Sequence, residues 1–213
     1  MLKPMQAVSG IVFSIFLIVH LFNTWLAAFG AGSYDTVQGW LRQLYQFAPI
    51  EALLLAALAT HAVVGIVRIV IEPKRTLTTR ARWHRYAGFF LLAFVGGHIF
   101  AVRGPSWFFD VYPGFDGLAA SIYFVPAYFY PYYFLLGLAG FYHMINGLGI
   151  GLNRLGVRWQ PSGSTLRGAT IASAVLMVAA LLGLGGFTAT VADPYNNQFA
   201  LLAAEFLGVD LPR

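Results

Sequence analysis

Five long apolar stretches constrain this chain more than anything else in it. A bilayer-spanning helix needs about 20 mostly apolar residues. The sequence supplies such runs at 8–29 (VSGIVFSIFLIVHLFNTWLAAF), 49–71, 84–102, 126–152 and 168–191. None alternates with the period of two that a membrane barrel strand requires. Buried helices of a water-soluble fold are excluded as well, because five such helices would leave no polar faces. Charged residues make up only 10% of the chain, against about 25% in soluble domains. The expected fold is an all-α membrane protein of five transmembrane helices, forming one domain over 1–213 with the lipid bilayer as its solvent. The first run is too long for the apolar core of a cleaved leader and lacks a small-residue cleavage site, so it reads as a retained span.

The net charge of +5 sits in particular connections. The second loop, EPKRTLTTRARWHR, carries Lys74, Arg75, Arg80, Arg82 and Arg85 against Glu72, and the fourth carries Arg154, Arg158 and Arg167 with no acid. The first and third loops each carry one arginine, Arg42 and Arg103. The positive-inside rule then places the second and fourth loops and the N-terminus in the cytoplasm, and the C-terminus outside. Basic charge spent on topology is not a nucleic-acid signal, and no nucleic-acid-binding motif is present. The aromatic third loop suits the membrane interface. The tail after Val191 reads as a short amphipathic helix on the outer surface. Cysteine is absent, which excludes disulfides, thiolate zinc sites and iron–sulfur ligation by this chain.

Ionisable groups inside a membrane are costly and point to function. Four of the five histidines lie one per span in the first four: His20, His61, His98 and His143. At about 1.5 Å rise per residue, His20 and His98 fall near the outer ends of the first and third spans. His61 and His143 fall in the inner halves of the second and fourth. Alternate helices of a four-helix arrangement are often diagonal, so each level offers two facing imidazoles. Two such pairs are what two haem b groups with bis-histidine ligation need, with the macrocycles in the bundle core. The first four spans are therefore expected to form a haem-binding bundle. A zinc site would converge at one depth, and a proton relay would interleave acids with the histidines.

Glycines flank these histidines. Gly65, Gly97, Gly140 and Gly147 fit close approach of a flat ring, and equally fit ordinary small-residue helix packing. Arg68 follows His61 by seven residues on the same face, toward the inner haem edge, where a propionate would meet it; the competing reading is a snorkelling arginine. Arg85 and His84, at the start of the third span, are comparable candidates with a plain surface-basic alternative. Asn146 and Asn23 each follow a histidine by three residues, placed to orient an imidazole or to join two helices.

SGIVFSIFLIVHLFNTW, PIEALLLAALATHAVVGI, RYAGFFLLAFVGGH and FYHMINGLGIGLNRLGV together resemble the ligand helices of the di-haem cytochrome b anchor of succinate dehydrogenase and fumarate reductase, in its single-subunit, five-helix form. The resemblance covers the first four spans; the order of four histidines carries it, with H-x-x-N-G-L and R-x-x-G in support. It implies a subunit of complex II in a bacterial cytoplasmic membrane. A flavoprotein (FAD) subunit and an iron–sulfur subunit would dock on the cytoplasmic face, and the complex is compatible with a higher oligomer. Electrons would pass between the clusters and membrane quinone, menaquinone in many relatives, through haems held by His20 with His98 and His61 with His143. The resemblance further implies a quinone site near the outer haem, with Glu51, Asn23 and Trp25 at that level, or an inner one near Ser9, Arg85 and Tyr86. Other di-haem cytochromes, of the cytochrome b561 or hydrogenase type, fit the spacing less well. A histidine-lined transporter would call for broken helices or duplicated halves, which the sequence lacks.

Overall fold

A computed structural model describes residues 1–72 and 76–211. Lys74 and Arg75, counted in the second loop, lie outside the described residues. The regular elements among the described residues are all helices: α1 (Leu2–Trp25), a 3-10 turn (Leu26–Phe29), α2 (Ala31–Tyr45), α3 (Ala48–Ile71), α4 (Thr79–Phe109), α5 (Phe115–Phe124), α6 (Pro126–Arg154), α7 (Gly163–Leu184) and α8 (Gln198–Leu207). Among the described residues, five helices are long and apolar enough to cross a membrane: α1 with its 3-10 extension, α3, α4, α6 and α7. Their large apolar side chains, Ile15, Val63 and Val70 among them, point outward without cover from the protein, as a lipid solvent permits.

Local chemistry sets the helix ends. Pro49 sits in the first turn of α3 and Pro126 opens α6, positions where a missing N–H costs nothing. Glu72 turns extended where Pro73 follows. Several ends depart from the expected boundaries. The third span begins at Thr79 and continues to Phe109, through Gly104 and Pro105, to stop at Asp110 with φ 56°. The fifth ends at Leu184, well before Val191. There Gly186 takes φ 80°, Phe187 N–H bonds Leu182 O at 2.9 Å and Gly186 N–H bonds Gly183 O at 3.0 Å, a glycine-capped helix terminus.

The contacts divide the chain into two compact units. The first comprises Met1–Leu21, Trp40–Leu92 and Leu138–Ser173. Within it α1 and α6 approach closely at Gly151, where an added Cβ would meet Ile11 at 3.3 Å. Buried Ser9 and Ser14 return their hydroxyls to carbonyls one turn back, at 2.8 and 2.7 Å, and so need no partner in the apolar surroundings.

The second unit comprises Phe22–Gly39, Ala93–Gly137 and Ala174–Arg213. Its core is formed by Ala27, Tyr34, Phe115, Ala119, Ile122, Ala180, Leu181 and Leu184. Two connections expected as loops are helices here, α2 and α5, and the amphipathic tail helix is α8. The α5 N-terminus is held by Asp35 of the first connection, whose carboxylate accepts from Phe115 N–H at 2.8 Å. Asp116 accepts from the backbone of Ala192 and Asp193 ahead of α8, each at 3.3 Å. Gly117 leaves room for Phe199 of α8. Gly183 of α7 lies directly against the Ala27 carbonyl, a contact no larger residue could make.

Candidate functional site

The first unit holds four of the five histidines and brings three of them together. His61 of α3 and His143 of α6 stand with ring centres 6.0 Å apart and planes at 90°. His84 of α4 stacks on the His143 ring at 4.0 Å and 9°. The inner-level pair expected from helix depth is thus brought together, and His84 joins it.

Each paired ring is oriented by a peptide carbonyl from another helix. His61 Nδ1 lies 3.1 Å from Gln6 O, and His143 Nδ1 lies 3.0 Å from His84 O. A carbonyl oxygen only accepts, so in each ring Nδ1 carries the proton. The neutral imidazole then keeps its lone pair on Nε2, the state a metal-ligating histidine adopts when its other nitrogen donates to a carbonyl. The spacing places Asn146 to orient the His143 ring, but the His84 carbonyl on another helix takes that role.

Glycines make room for both rings. A Cβ on Gly10 of α1 would come within 2.8 Å of the His61 ring, and one on Gly88 of α4 within 2.9 Å of His143 Cε1. Neither was singled out in the sequence, although Gly88 is the glycine of the R-x-x-G phrase. The four expected glycines behave differently. Gly147 faces His84 Cε1 at 3.4 Å, Gly65 faces Gln6 Nε2 at 3.1 Å, Gly140 touches Leu17 at 3.8 Å, and Gly97 has nothing within 4 Å.

The basic candidates also separate. Arg68 is engaged by Glu72, through Nε at 2.8 Å and Nη2 at 3.0 Å, and its Nη1 donates to the Gln6 side chain. Glu72 lies beyond the end of α3, and hydrogen bonding from the Arg68 guanidinium holds its carboxyl below the usual range. Arg85 is exposed. Arg80, read in the sequence only as a topology charge, instead reaches the histidine cluster: its Nε donates to Asn146 Oδ1 at 2.5 Å and its Nη1 to Pro161 O at 2.9 Å. Its i+4 spacing to His84 was the available signal.

His20 of α1, also in the first unit, stacks on Phe16 at 5.3 Å. Glu51 sits half-buried in the first turn of α3. The remaining candidates belong to the second unit. His98 is half-buried on α4. Asn23 is 2% exposed and donates to Gln38 Oε1 at 2.6 Å, and Trp25 closes α1.

A metal–imidazole nitrogen bond is about 2.0 Å. With the ring radius added on each side, one ion between two Nε2 atoms separates the ring centres by roughly 6 Å, the spacing found for His61 and His143. Among the described residues no group of three or more histidine, cysteine or acidic side chains is placed to hold a metal. Two imidazoles alone would hold only a metal that brings its remaining donors with it, as haem iron does. Three polar atoms beside it, Arg80 Nη2, Asn146 Nδ2 and His84 Nδ1, are buried without a hydrogen-bond partner. The donor set fits haem.

None of the known families, curated proteins or solved structures compared with the chain matches it.

Proposed function

We propose that the chain is the membrane anchor and electron-transfer subunit of a succinate:quinone oxidoreductase, holding two b haems with bis-histidine ligation in a bacterial cytoplasmic membrane. The observation that carries this reading is the His61–His143 pair, whose rings stand 6.0 Å apart with both Nδ1 protons committed to carbonyls. The order of histidines along the first four spans supports it further. His61 and His143 bind the inner haem; His20 and His98 bind the outer one. Gln6 O and His84 O hold the inner imidazoles in the ligating tautomer, while Gly10 and Gly88 let their Cε1 edges come close to α1 and α4. Bound haem supplies a one-electron couple in the membrane interior. The apolar helices around it exclude water. The basic second and fourth loops keep the N-terminus and the partner-docking face in the cytoplasm, where the flavoprotein and iron–sulfur subunits bind. Glu51 is the acid for quinone protons, and the quinone is menaquinone.

Visible spectroscopy of the purified chain tests this directly. Two low-spin b haems per chain are expected, and a folded sample without haem would sink the reading. His143→Ala is expected to remove one haem and leave the other bound; loss of neither would refute the ligand assignment. Co-purification with a flavoprotein and an iron–sulfur protein separates this function from that of another di-haem cytochrome b.

A further inference from the structure

Arg80 carries a positive charge into the histidine cluster, yet both of its hydrogen-bond acceptors are neutral: the Asn146 amide oxygen and the Pro161 carbonyl. Its second terminal nitrogen, Nη2, is buried with no partner. A buried guanidinium is normally balanced by an anion, because leaving it uncompensated is costly. Asn146 is 1% exposed; its oxygen is taken by Arg80, and its Nδ2 is likewise buried with no partner. His84 repeats the pattern at Nδ1, with its ring against His143 and Gly147. The three residues come from two helices. Arg80 and His84 are one turn apart on α4; Asn146 is three residues beyond His143 on α6. A charged nitrogen and an amide nitrogen, both uncommitted and joined through one short hydrogen bond, match the two oxygens of a carboxylate.

We propose that Arg80 and Asn146, flanked by His84, seat a carboxylate of the bound haem, one of its two propionates. This rests on the haem reading above and assigns to Arg80 and Asn146 a role beyond it. Arg68 is answered by Glu72, whereas Arg80 has its charge available. The bond from Arg80 Nε to Asn146 Oδ1 turns the amide so that Nδ2 faces away from it. The seat is thereby built before the ligand arrives.

The test uses the full-length chain, stripped of haem in detergent and reconstituted with haem b or with its dimethyl ester, which keeps the iron and the ring but has no free carboxylate. The wild type is expected to take up haem in preference to the diester at the His61–His143 site. Arg80→Gln should reduce that preference about ten-fold, the effect of losing a charge-assisted hydrogen bond. Asn146→Leu should reduce it several-fold while leaving the Arg80 charge in place. Arg80→Lys, which keeps the charge without the fork, should fall between Arg80→Gln and the wild type. A purely structural role would weaken uptake of both compounds equally and leave the preference unchanged. An unchanged preference in Arg80→Gln with two haems bound overturns the proposal. Should Arg80→Gln fail to fold, an unchanged preference in Asn146→Leu overturns it instead. A wild-type chain that binds no haem refutes the function itself; a wild type with two haems and indifferent variants refutes only the seat.

Discussion

His143 lies in oil-rich sequence, and its environment specifies both a tautomer and a direction. The His84 carbonyl fixes the proton on Nδ1, and Gly88 allows the ring to rest on the α4 backbone. Gly88→Ala places a methyl group 2.9 Å from His143 Cε1, so the ring must tilt or the helices must part, at a cost of about 1–3 kcal/mol for overpacking. The expected outcome is partial loss of one haem with the other retained, read by pyridine haemochrome. Glu72 offers a test away from the site. Hydrogen bonding from Arg68 holds its carboxyl below the ordinary glutamate value, so the pairing stabilises the fold at pH above that ordinary value and is lost as pH falls through the lower folded value. Thermal midpoints of wild type and Glu72→Gln should therefore differ at neutral pH and converge in acid. Persistence of the difference well below pH 4 would show that Glu72 acts other than through its charge. At this scale the sequence discloses which side chains are costly, because a histidine among leucines and valines stands out. It conceals those whose role depends on what they meet. Arg80 reads as one loop charge among five, and Gly10 as one small residue among many.

Helices disclose themselves in the sequence when membrane length selects them. The five spans are legible because about 20 apolar residues have no other use. Their ends are less so: glycine at Gly186 stops α7 early, while Pro105 fails to stop α4. The two short helices in the connections were not legible at all. In α5, FDGLAASIYF is an apolar run too short to cross a membrane, and its helical state depends on burial against α7, α8 and Tyr34, partners remote in sequence. Its start depends on Asp35, eighty residues earlier. Asp35→Ala removes that acceptor and is expected to destabilise the chain by about 1 kcal/mol, with Asp35→Asn milder. Hydrogen exchange at the first-turn amides of α5 should rise in the alanine variant.

Across the whole molecule, the proposed topology rests on where the basic residues fall, and the chain is well suited to a direct check because it has no cysteine. Single cysteines can be introduced without background labelling. Ser164→Cys, in the exposed start of α7, should react with an impermeant maleimide only from the cytoplasmic side, and Ser33→Cys, exposed on α2, only from the outside. Reaction of both from one side would overturn the assignment. The order of synthesis adds a further consequence. The α5 core face is completed by Ala180, Leu181 and Leu184 of α7 and by packing against α8, both made after α5 and α6. While the ribosome is still extending the chain past Arg154, Phe115 and Ile122 have no α7 or α8 to cover them. This part of the protein therefore matures only after α7 and α8 have been made. A chain stopped short of α7 would carry a recognisable defect, an uncovered apolar helix, by which membrane quality-control proteases can tell it from the finished product.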